Sequence, residues 1–381
     1  MNFELSKEHE LLRKMYEEFA ENELKELAAE IDEEERFPSE TIPKLAKLGM
    51  MGIPWPEEVG GSGADHLAYA MAIEEIAKKC VSTSTIVAAH TSLCTYPILH
   101  FGTKEQIEKY VPDLASGRKL GAFGLTEPEA GTDSAAQQTE AVLDGDEWVL
   151  NGSKCFITNA SEADVFMVVA MTDKSKGNHG ISTFIVEKGT PGFSIGPHEK
   201  KMGIRASATS DLIFEDCRIP KENLLGQVGK GFRVAMNTLD GARVGVAAQA
   251  IGLAEGAIEE TLKYVTERVQ FGRRLSQFQN TQFELADMQA RTDAGKLLVY
   301  RAAKAKDTED PKLGYYSAMA KMYAGRNASD VTRRCLQLFG GYGYIRDFPI
   351  ERMMRDAKIT EIYEGTSEVQ KMVVSRAMGV K

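Results

Sequence analysis

The sequence has few cysteines and histidines for its length of 381 residues. Its five cysteines, Cys80, Cys94, Cys155, Cys217 and Cys335, are scattered and form no C-x-x-C pair. An odd number of isolated cysteines does not suggest a disulfide framework and is typical of a chain kept reduced in the cytoplasm. The six histidines are equally dispersed, so the sequence predicts no metal site.

Long apolar runs and an excess of positive charge are also missing. No apolar stretch reaches the roughly 20 residues that a membrane-spanning helix needs, so membrane insertion is not expected. The N-terminus opens with Met1-Asn2-Phe3-Glu4 and is acidic, which suits neither a signal peptide nor a transit peptide. The formal net charge of −10 argues against nucleic acid as the main partner. These absences together predict a cytoplasmic protein.

The usual nucleotide-binding fingerprints are absent as well. The nearest candidate for a G-x-G-x-x-G motif, Gly341-Tyr342-Gly343, lacks the third glycine, and no strand–helix unit surrounds it. A Walker-type phosphate loop is not found either. Any redox cofactor is therefore expected to be held by something other than a Rossmann domain.

Apolar periodicity divides the chain into three parts. Leu12, Met15 and Phe19 recur at helical spacing and begin a helical region over residues 1–118. Short β-rich runs follow over residues 119–228, where Asp144-Gly145 predicts a type I′ hairpin. Further strands are predicted at residues 164–171, 180–187 and 212–214.

Helical periodicity returns from residue 229. One long helix is marked by Val244, Ala248, Ile251, Ile258, Leu262, Val265 and Val269, and a second by Phe283, Ala290, Ala294 and Leu298. Long helices joined by short polar loops favour a bundle. The predicted fold class is α+β multidomain: an N-terminal α-helical domain (1–118), a middle antiparallel β-barrel or sandwich (119–228) and a C-terminal four-helix bundle (229–381).

Three polar segments with glycines stand out from this framework. Residues 124–136 (GLTEPEAGTDSAA) and 337–344 (QLFGGYGY) offer backbone and hydroxyl donors that suit a polar ring edge or a phosphate. Residues 362–367 (IYEGTS) place Glu364 before Gly365, which has no side chain to block a flat ligand. Each segment taken alone is equally typical of a surface turn.

In this order and spacing, the three segments resemble the acyl-CoA dehydrogenase family of flavoproteins. The resemblance covers residues 1–381 and is greatest to the short-chain, butyryl-CoA type of anaerobic bacteria. It implies FAD held between the β domain and the C-terminal bundle, and α,β-dehydrogenation of an acyl-CoA thioester. A base removes the α-proton while a hydride leaves the β-carbon for flavin N5.

The resemblance implies that Glu364 is this base. A free carboxylate, with a pKa of about 4.3, is too weak a base for a thioester α-carbon. Desolvation by the acyl chain raises the pKa, and the Glu364 N–H with a flavin hydroxyl stabilises the enolate-like oxygen. Some relatives carry the base on another helix, as a glutamate just before the arginine of a Leu-Asp-x-x-Arg motif. In this chain the motif is Leu239-Asp240-Gly241-Ala242-Arg243, which has alanine in that position. From pattern alone, Glu364 could equally be a surface glutamate in a turn.

The resemblance also assigns the cofactor and substrate contacts. The flavin ring and the neighbouring cofactor surface are assigned Phe123, Leu125, Thr126, Gly131, Thr132, Phe156, Ile157 and Thr158. The more distant parts of FAD are assigned Arg268, Gln270, Phe271, Gln279, Gln337, Leu338, Gly340, Gly341, Thr366 and Ser367. Substrate contacts are assigned to Ser134, Asp240, Arg243, Tyr363 and Gly365. By pattern alone, Phe156 is a strand residue facing a core, and Asp240 with Arg243 is a buried ion pair.

Assembly and electron transfer follow from the same resemblance. Arg268 and residues 337–341 belong to a neighbouring subunit in the family, which implies a homotetramer built as a dimer of dimers. Electron-transferring flavoprotein is the implied electron acceptor. The polar residues His90 and Thr91, with Leu93, are placed near the acyl end, which leaves a branched or cyclic acyl substrate open. A flavoprotein oxidase and a non-catalytic flavin-binding protein also remain open as functions for this sequence.

Overall fold

The computed structural model describes residues 4–380. The α-helices are α1 (Lys7–Phe19), α2 (Leu27–Glu34), α3 (Ile42–Lys47), α4 (His66–Lys79), α5 (Val81–Ala88), α6 (Tyr96–Phe101), α7 (Lys104–Ala115), α8 (Gly231–Glu267), α9 (Gln279–Asp307), α10 (Leu313–Phe339), α11 (Ile350–Ala357) and α12 (Ser367–Ala377). The strands are β1 (Gly121–Gly124), β2 (Glu140–Asp144), β3 (Glu147–Thr158), β4 (Val165–Met171), β5 (Ile181–Glu187), β6 (Phe193–His198), β7 (Thr209–Pro220), β8 (Leu224–Leu225), β9 (Val269–Gln270) and β10 (Arg273–Arg274).

The N-terminal helices begin at residues suited to capping. The Asp65 carboxylate accepts a hydrogen bond from the Ala68 N–H at 2.8 Å at the start of α4, which satisfies one of the free donors of the first turn. Thr103 and Gln106 form a reciprocal capping box at the start of α7. Between α5 and α6, Ala89–Thr95 forms a π-helical segment, a form that often occurs at functional sites.

The middle region is one large sheet with strand order β6-β7-β3-β2-β4-β5-β8. The predicted β domain is confirmed, and most of its pairs are antiparallel, but β1 runs parallel to β4. The β2–β3 hairpin forms as predicted, with Asp144 opposite Glu147. Of its two loop residues only Gly145 has positive φ, which is the pattern of a type II′ turn, so the predicted type I′ turn is wrong.

The C-terminal bundle is formed by α8, α9, α10 and α12. The first predicted helix is too long by its last residue, because α8 ends at Glu267 and Val269 lies in the exposed strand β9. Leu262 is likewise exposed. Val244 and Ile251, which lie on the predicted apolar face of α8, are fully buried.

The second predicted helix is confirmed as α9, but most of the residues that marked it do not face the bundle. Phe283, Ala290 and Ala294 lie on its exposed side, whereas the buried side contains Met288, Thr292, Gly295 and Val299. Gly295 lies close to α8, since an added Cβ would lie 2.6 Å from Cδ1 of Ile251. The buried side of α9 thus mixes apolar with small and polar residues, and an apolar stripe also remains on the surface.

The N-terminal helices and the C-terminal bundle share one apolar core, formed largely by α1, α4, α8, α9 and α10. The sheet has its own core around Trp148, Phe166 and Phe184. A third cluster joins α7, β1, β4 and the start of α8. The helical and β parts therefore meet along α5, β1 and α8. No helix among residues 4–380 is long and apolar enough to cross a membrane.

Candidate active site

A cavity of about 200 Å³ lies where the sheet meets the helices. It brings together residues that are far apart in the sequence and that the family resemblance predicted as site residues. These are Phe123, Leu125, Thr126, Gly131, Thr132, Ser134, Phe156, Ile157, Thr158, Arg243, Tyr363, Glu364 and Gly365.

Glu364 is held in the cavity by an unusual turn. Glu364 and Gly365 have consecutive positive φ angles of 52° and 95°, and a non-glycine residue adopts this conformation only when its surroundings enforce it. The Glu364 carbonyl oxygen accepts hydrogen bonds from Gln370 Nε2 at 3.3 Å and from Arg243 Nε at 3.5 Å. Its carboxylate Oε2 is buried and has no hydrogen-bond partner among residues 4–380.

The electrostatic surroundings of Glu364 suit a base at neutral pH. Burial in the cavity raises the pKa of Glu364 to about 7, and the positive charges of Lys321, Arg243 and Lys306 limit that rise. A carboxylate whose pKa lies near the working pH is both ionised and basic enough to accept a proton.

The loop that follows β1 carries a row of polar groups along the cavity. The Cys155 N–H donates to the Thr126 carbonyl at 2.9 Å and so ties this loop to β3. Phe156, next in β3, has a φ of +60° and is 64 % exposed. The interpretation of Phe156 as a core residue is therefore wrong: the β3–β7 register shifts between Lys154 and Ile157, and this turns the ring outward.

A buried ion pair lies behind this loop, and sequence patterns gave no sign of it. Lys154 Nζ is 2.5 Å from Glu127 Oε1, and the two side chains are 0 % and 2 % exposed. Glu127 also accepts hydrogen bonds from the N–H groups of Gln138 at 2.6 Å and Thr139 at 3.0 Å. Burial lowers the pKa of Lys154 to about 8, although the Glu127 carboxylate opposes this. No local pattern links positions 127 and 154, so only the hairpin pairing could have suggested the contact.

The acyl end of the cavity differs from the prediction. His90 and Thr91 do not line it. The Gly121 N–H donates to His90 Nδ1 at 3.0 Å, and His90 Nε2 donates to the Leu114 carbonyl at 3.0 Å. Burial lowers the pKa of His90 to about 4, so the ring is neutral. Leu93 does line the cavity as predicted, together with the apolar residues Ala88, Ala89, Met236, Leu239 and Val246.

A polar cluster lies at the α5 side of this apolar wall. Gln249 Nε2 donates to Thr85 Oγ1 at 2.6 Å and to Ser84 Oγ at 3.0 Å. The Tyr363 hydroxyl donates to Gln249 Oε1. Because these groups satisfy each other's hydrogen bonds, the cluster forms a firm boundary of the cavity. Two of its members, Thr85 and Tyr363, line the cavity directly.

Six of the remaining predicted residues line a second, separate surface. A depression of about 440 Å³ is lined by Arg268, Gln270, Gln337, Leu338, Gly340 and Gly341 among others, and none of its lining residues borders the cavity. The Arg268 guanidinium lies 5.2 Å from the centre of the Tyr342 ring. Phe271 is 93 % exposed, and Gln279 is exposed at the start of α9.

Three predicted residues lie beside the cavity without lining it. Asp240 Oδ1 is 2.6 Å from Arg243 Nη1, so the ion pair expected from pattern alone does form, although Arg243 also faces the cavity. Thr366 caps α12 by accepting the Val369 N–H at 3.3 Å. Ser367 is buried, and its Oγ has no partner among the described residues.

The residues around the cavity fit a flavin. The exposed Phe156 ring offers an apolar face, and the hydroxyls of Thr126 and Thr158 lie at its rim. At Gly131, Gly340 and Gly341 an added Cβ would meet no atom within 4 Å, so the backbone borders open space at each. No cluster of three or more His, Cys, Asp or Glu side chains able to hold a metal ion occurs within residues 4–380.

Comparison with known proteins agrees with this geometry. The acyl-CoA dehydrogenase N-terminal, middle and C-terminal domain families match residues 6–118, 122–217 and 229–379. The short-chain specific acyl-CoA dehydrogenase of Clostridium acetobutylicum is 57 % identical over 98 % of this chain and 99 % of its own length.

Two solved structures are also very similar. Butyryl-CoA dehydrogenase from Megasphaera elsdenii has a TM-score of 0.97 and 49 % identity, covering 99 % of this chain and 100 % of that one. A chain from work on the electron transferring flavoprotein of Acidaminococcus fermentans and flavin-based electron bifurcation has a TM-score of 0.98 and 52 % identity, covering 99 % of both chains. The resemblance inferred from the three sequence segments is thus confirmed, and the chain belongs to the acyl-CoA dehydrogenase family.

Proposed function

We propose that this protein is a short-chain acyl-CoA dehydrogenase that converts an acyl-CoA thioester to the trans-2-enoyl-CoA, or catalyses the reverse reduction. One observation carries the proposal: the carboxylate of Glu364 lies in a cavity lined by the flavin-edge residues of β1 and β3. When bound, FAD supplies the hydride acceptor. The protein itself must therefore remove the α-proton, hold the thioester and exclude water.

Glu364 is the proposed base. Its unpartnered Oε2 is free to accept a proton, and its raised pKa makes it basic enough at neutral pH. The Glu364 N–H donates no hydrogen bond to any of residues 4–380, so it is available to the thioester oxygen. A donor at that oxygen stabilises the negative charge that develops as the proton leaves.

The CoA portion is proposed to lie along α8 and the loop after β1. Arg243 and Ser134 both line the cavity, and Asp240 fixes the Arg243 guanidinium at 2.6 Å. Tyr363 and Gly365 flank the base on either side, and the absence of a side chain at Gly365 leaves room for the thioester. Thr366 and Ser367 are assigned to the nucleotide side of FAD.

The size of the cavity supports a short acyl chain. About 200 Å³ is small for a cavity that must take both a ring edge and an acyl group. The cluster of Gln249, Thr85 and Tyr363 bounds its α5 side with polar groups that an extended alkyl chain would have to displace. Burying an alkyl chain against satisfied polar groups gains little and breaks their hydrogen bonds. Branched and cyclic acyl groups are the alternative substrates.

The distant part of FAD is proposed to bind at the Arg268 depression of a second copy. Arg268 makes no ion pair with any of residues 4–380, and arginine suits pyrophosphate because its planar fork can bind two oxygens. The apolar stripe of α9, where Phe283 and Leu297 are 63 % and 50 % exposed, offers a surface for that copy. A homotetramer built as a dimer of dimers satisfies both features.

We further propose that the chain divides at about residues 118 and 228, that it works in the cytoplasm, and that it passes electrons to electron-transferring flavoprotein. The buried, free cysteines suit a reducing compartment. The partner follows from family membership and from the Acidaminococcus fermentans structure described above.

The proposal is tested with the purified protein and a panel of acyl-CoAs under anaerobic conditions. Retained FAD should be reduced fastest by butyryl-CoA, more slowly by branched or cyclic thioesters, and should be reoxidised by electron-transferring flavoprotein. A colourless protein that takes up no FAD contradicts the proposal. Rapid, stoichiometric peroxide formation in air supports an oxidase instead.

A further inference from the structure

Lys321 of α10 is a buried cation without a carboxylate partner. Its side chain is only 1 % exposed, and no carboxylate among residues 4–380 lies within ion-pair distance of its Nζ. The only hydrogen bond of this ammonium within that range runs to the Gly365 carbonyl at 2.6 Å. Burying a charge is unfavourable unless it is paired, so an unpaired lysine in the core calls for a functional explanation.

The carbonyl that Lys321 binds belongs to the turn that presents Glu364. Gln370 Nε2 donates to the same Gly365 oxygen at 2.8 Å, and an added Cβ at Gly365 would lie 2.7 Å from that amide. Donors from α8, α10 and α12 therefore hold the carbonyl groups of this turn, since Arg243 Nε also donates to the Glu364 oxygen at 3.5 Å. Of the two charged donors, Lys321 is the one that lacks a carboxylate partner among residues 4–380.

We propose that Lys321 is a positioning residue for the base, fixing the Glu364–Gly365 turn and supplying the positive charge that keeps the Glu364 carboxylate ionised. This inference rests on the proposed role of Glu364. The ammonium does not touch the substrate. It acts through the turn and through its electric field.

Other charged and titratable groups also face Glu364 from the surrounding elements. Arg243 of α8 and Lys306 of α9 are cations, and the hydroxyls of Tyr69 of α4 and Tyr363 are titratable neighbours. The charge of Arg243 is already balanced by Asp240, and that of Lys306 is balanced in part by Asp307. Glu361 and Glu368 also act on Lys321, but more weakly than Glu364 does.

The effects of Lys321 and Glu364 on each other's pKa agree with this role. Burial lowers the pKa of Lys321 to about 8, and the Glu364 carboxylate is the strongest charge opposing that fall. Conversely, Lys321 is the strongest charge limiting the rise of the pKa of Glu364. Loss of the ammonium must therefore raise the pKa of Glu364 further, because the carboxylate then lacks its main counter-charge.

The test is the pH dependence of anaerobic FAD reduction by butyryl-CoA in Lys321→Met and Lys321→Gln. In the unmodified protein the rate should rise with pH through about 7 as Glu364 ionises. In both variants this rise should move upward by about one pH unit, the usual effect of one nearby charge. Lys321→Gln keeps a donor for the Gly365 carbonyl, so at high pH it should be faster than Lys321→Met. The control is Lys371→Met, an exposed lysine of α12 beside Glu368, which should keep the original profile.

An infrared titration of the oxidised protein provides a measurement independent of turnover. The carboxyl band that disappears in Glu364→Gln should lose its protonated form near pH 7, and at higher pH in either Lys321 variant. If a variant folds and neither the rate profile nor the band moves, Lys321 has no such role. If neither variant folds, Lys321→Arg must fold and keep the original profile, and failure of that variant also overturns the inference. Near-normal activity of Glu364→Gln would instead remove the base assignment itself.

Discussion

The cavity around Glu364 and the depression around Arg268 differ in how complete they are. The cavity is lined by residues of one chain, from the region of α5, the loop after β1, β3, α8 and the Glu364 turn. The depression is open, and its cation Arg268 forms no ion pair with the described residues, its guanidinium lying 5.2 Å from the centre of the Tyr342 ring. We therefore propose that one chain supplies the groups that carry out the reaction, whereas FAD is retained at a site shared by two copies.

The largest expected effect comes from removing the base inside the cavity. Glu364→Gln keeps the size of the side chain but abolishes its basicity, so FAD reduction by butyryl-CoA should slow by roughly 10²–10⁴-fold or more. FAD content should stay normal, because the depression is untouched. Stopped-flow absorbance measures the rate, and near-normal turnover would show that Glu364 is not the base.

A second change tests the enclosure of the cavity. Glu127→Ala leaves Lys154 buried and unpaired, so unfolding free energy should fall by about 3–5 kcal/mol. Urea unfolding measures this loss. Glu140→Ala is the control, because its ion pair with Lys174 is exposed and should contribute at most about 1 kcal/mol. Equal losses in both variants would mean that the buried pair has no special role.

The third change addresses the open depression. Arg268→Ala removes a charge-assisted bond to the proposed pyrophosphate, which contributes about 1.5–3 kcal/mol, or roughly ten- to hundred-fold in FAD affinity. The variant should shed FAD on gel filtration and fall partly to smaller species, and added FAD should restore the assembly. Arg218→Ala, an exposed arginine of β7, should change neither property. Unchanged FAD content and unchanged mass in Arg268→Ala would remove the inter-subunit assignment.

The smallest expected effect lies at the acyl end of the cavity. Gln249→Ala removes the amide that links Thr85 and Tyr363, so the cavity should lengthen and the preference for hexanoyl-CoA over butyryl-CoA should rise by about ten-fold in kcat/KM, the usual value of one methylene. Gln289→Ala, exposed on α9, serves as the control. An unchanged chain-length profile would show that this cluster does not bound the substrate.

The sequence predicted the order of helical and β regions and the residues of the cavity well, because both have local signatures. Apolar spacing marks helices, and the segments around Thr126 and Glu364 carry their own turn chemistry. Features that depend on long-range pairing were missed. The Lys154–Glu127 ion pair and the contact of Lys321 with Gly365 each join distant positions with no shared motif.

The wrong placement of His90 and the exposure of Phe283 have a similar physical origin. His90 is a polar residue on a helix near the acyl end, and sequence alone does not show that backbone groups of β1 and α7 bind both its nitrogens. Phe283 belongs to an apolar stripe of α9, which periodicity cannot assign to a core or to an interface. Periodicity identifies an apolar face but not what covers it.

The proposed division of labour, in which one chain supplies the base and another the FAD pyrophosphate site, is tested most directly by mixing two inactive variants. Arg268→Ala chains keep Glu364, and Glu364→Gln chains keep Arg268, so each mixed pair of subunits contains one complete site. Co-expression should restore about a quarter of the normal number of active sites, the share expected for random pairing across a two-fold interface. Measured at low free FAD, recovery of butyryl-CoA dehydrogenation is the predicted result. Activity no higher than the sum of the separate variants, in a preparation shown by mass to contain mixed assemblies, would contradict this division.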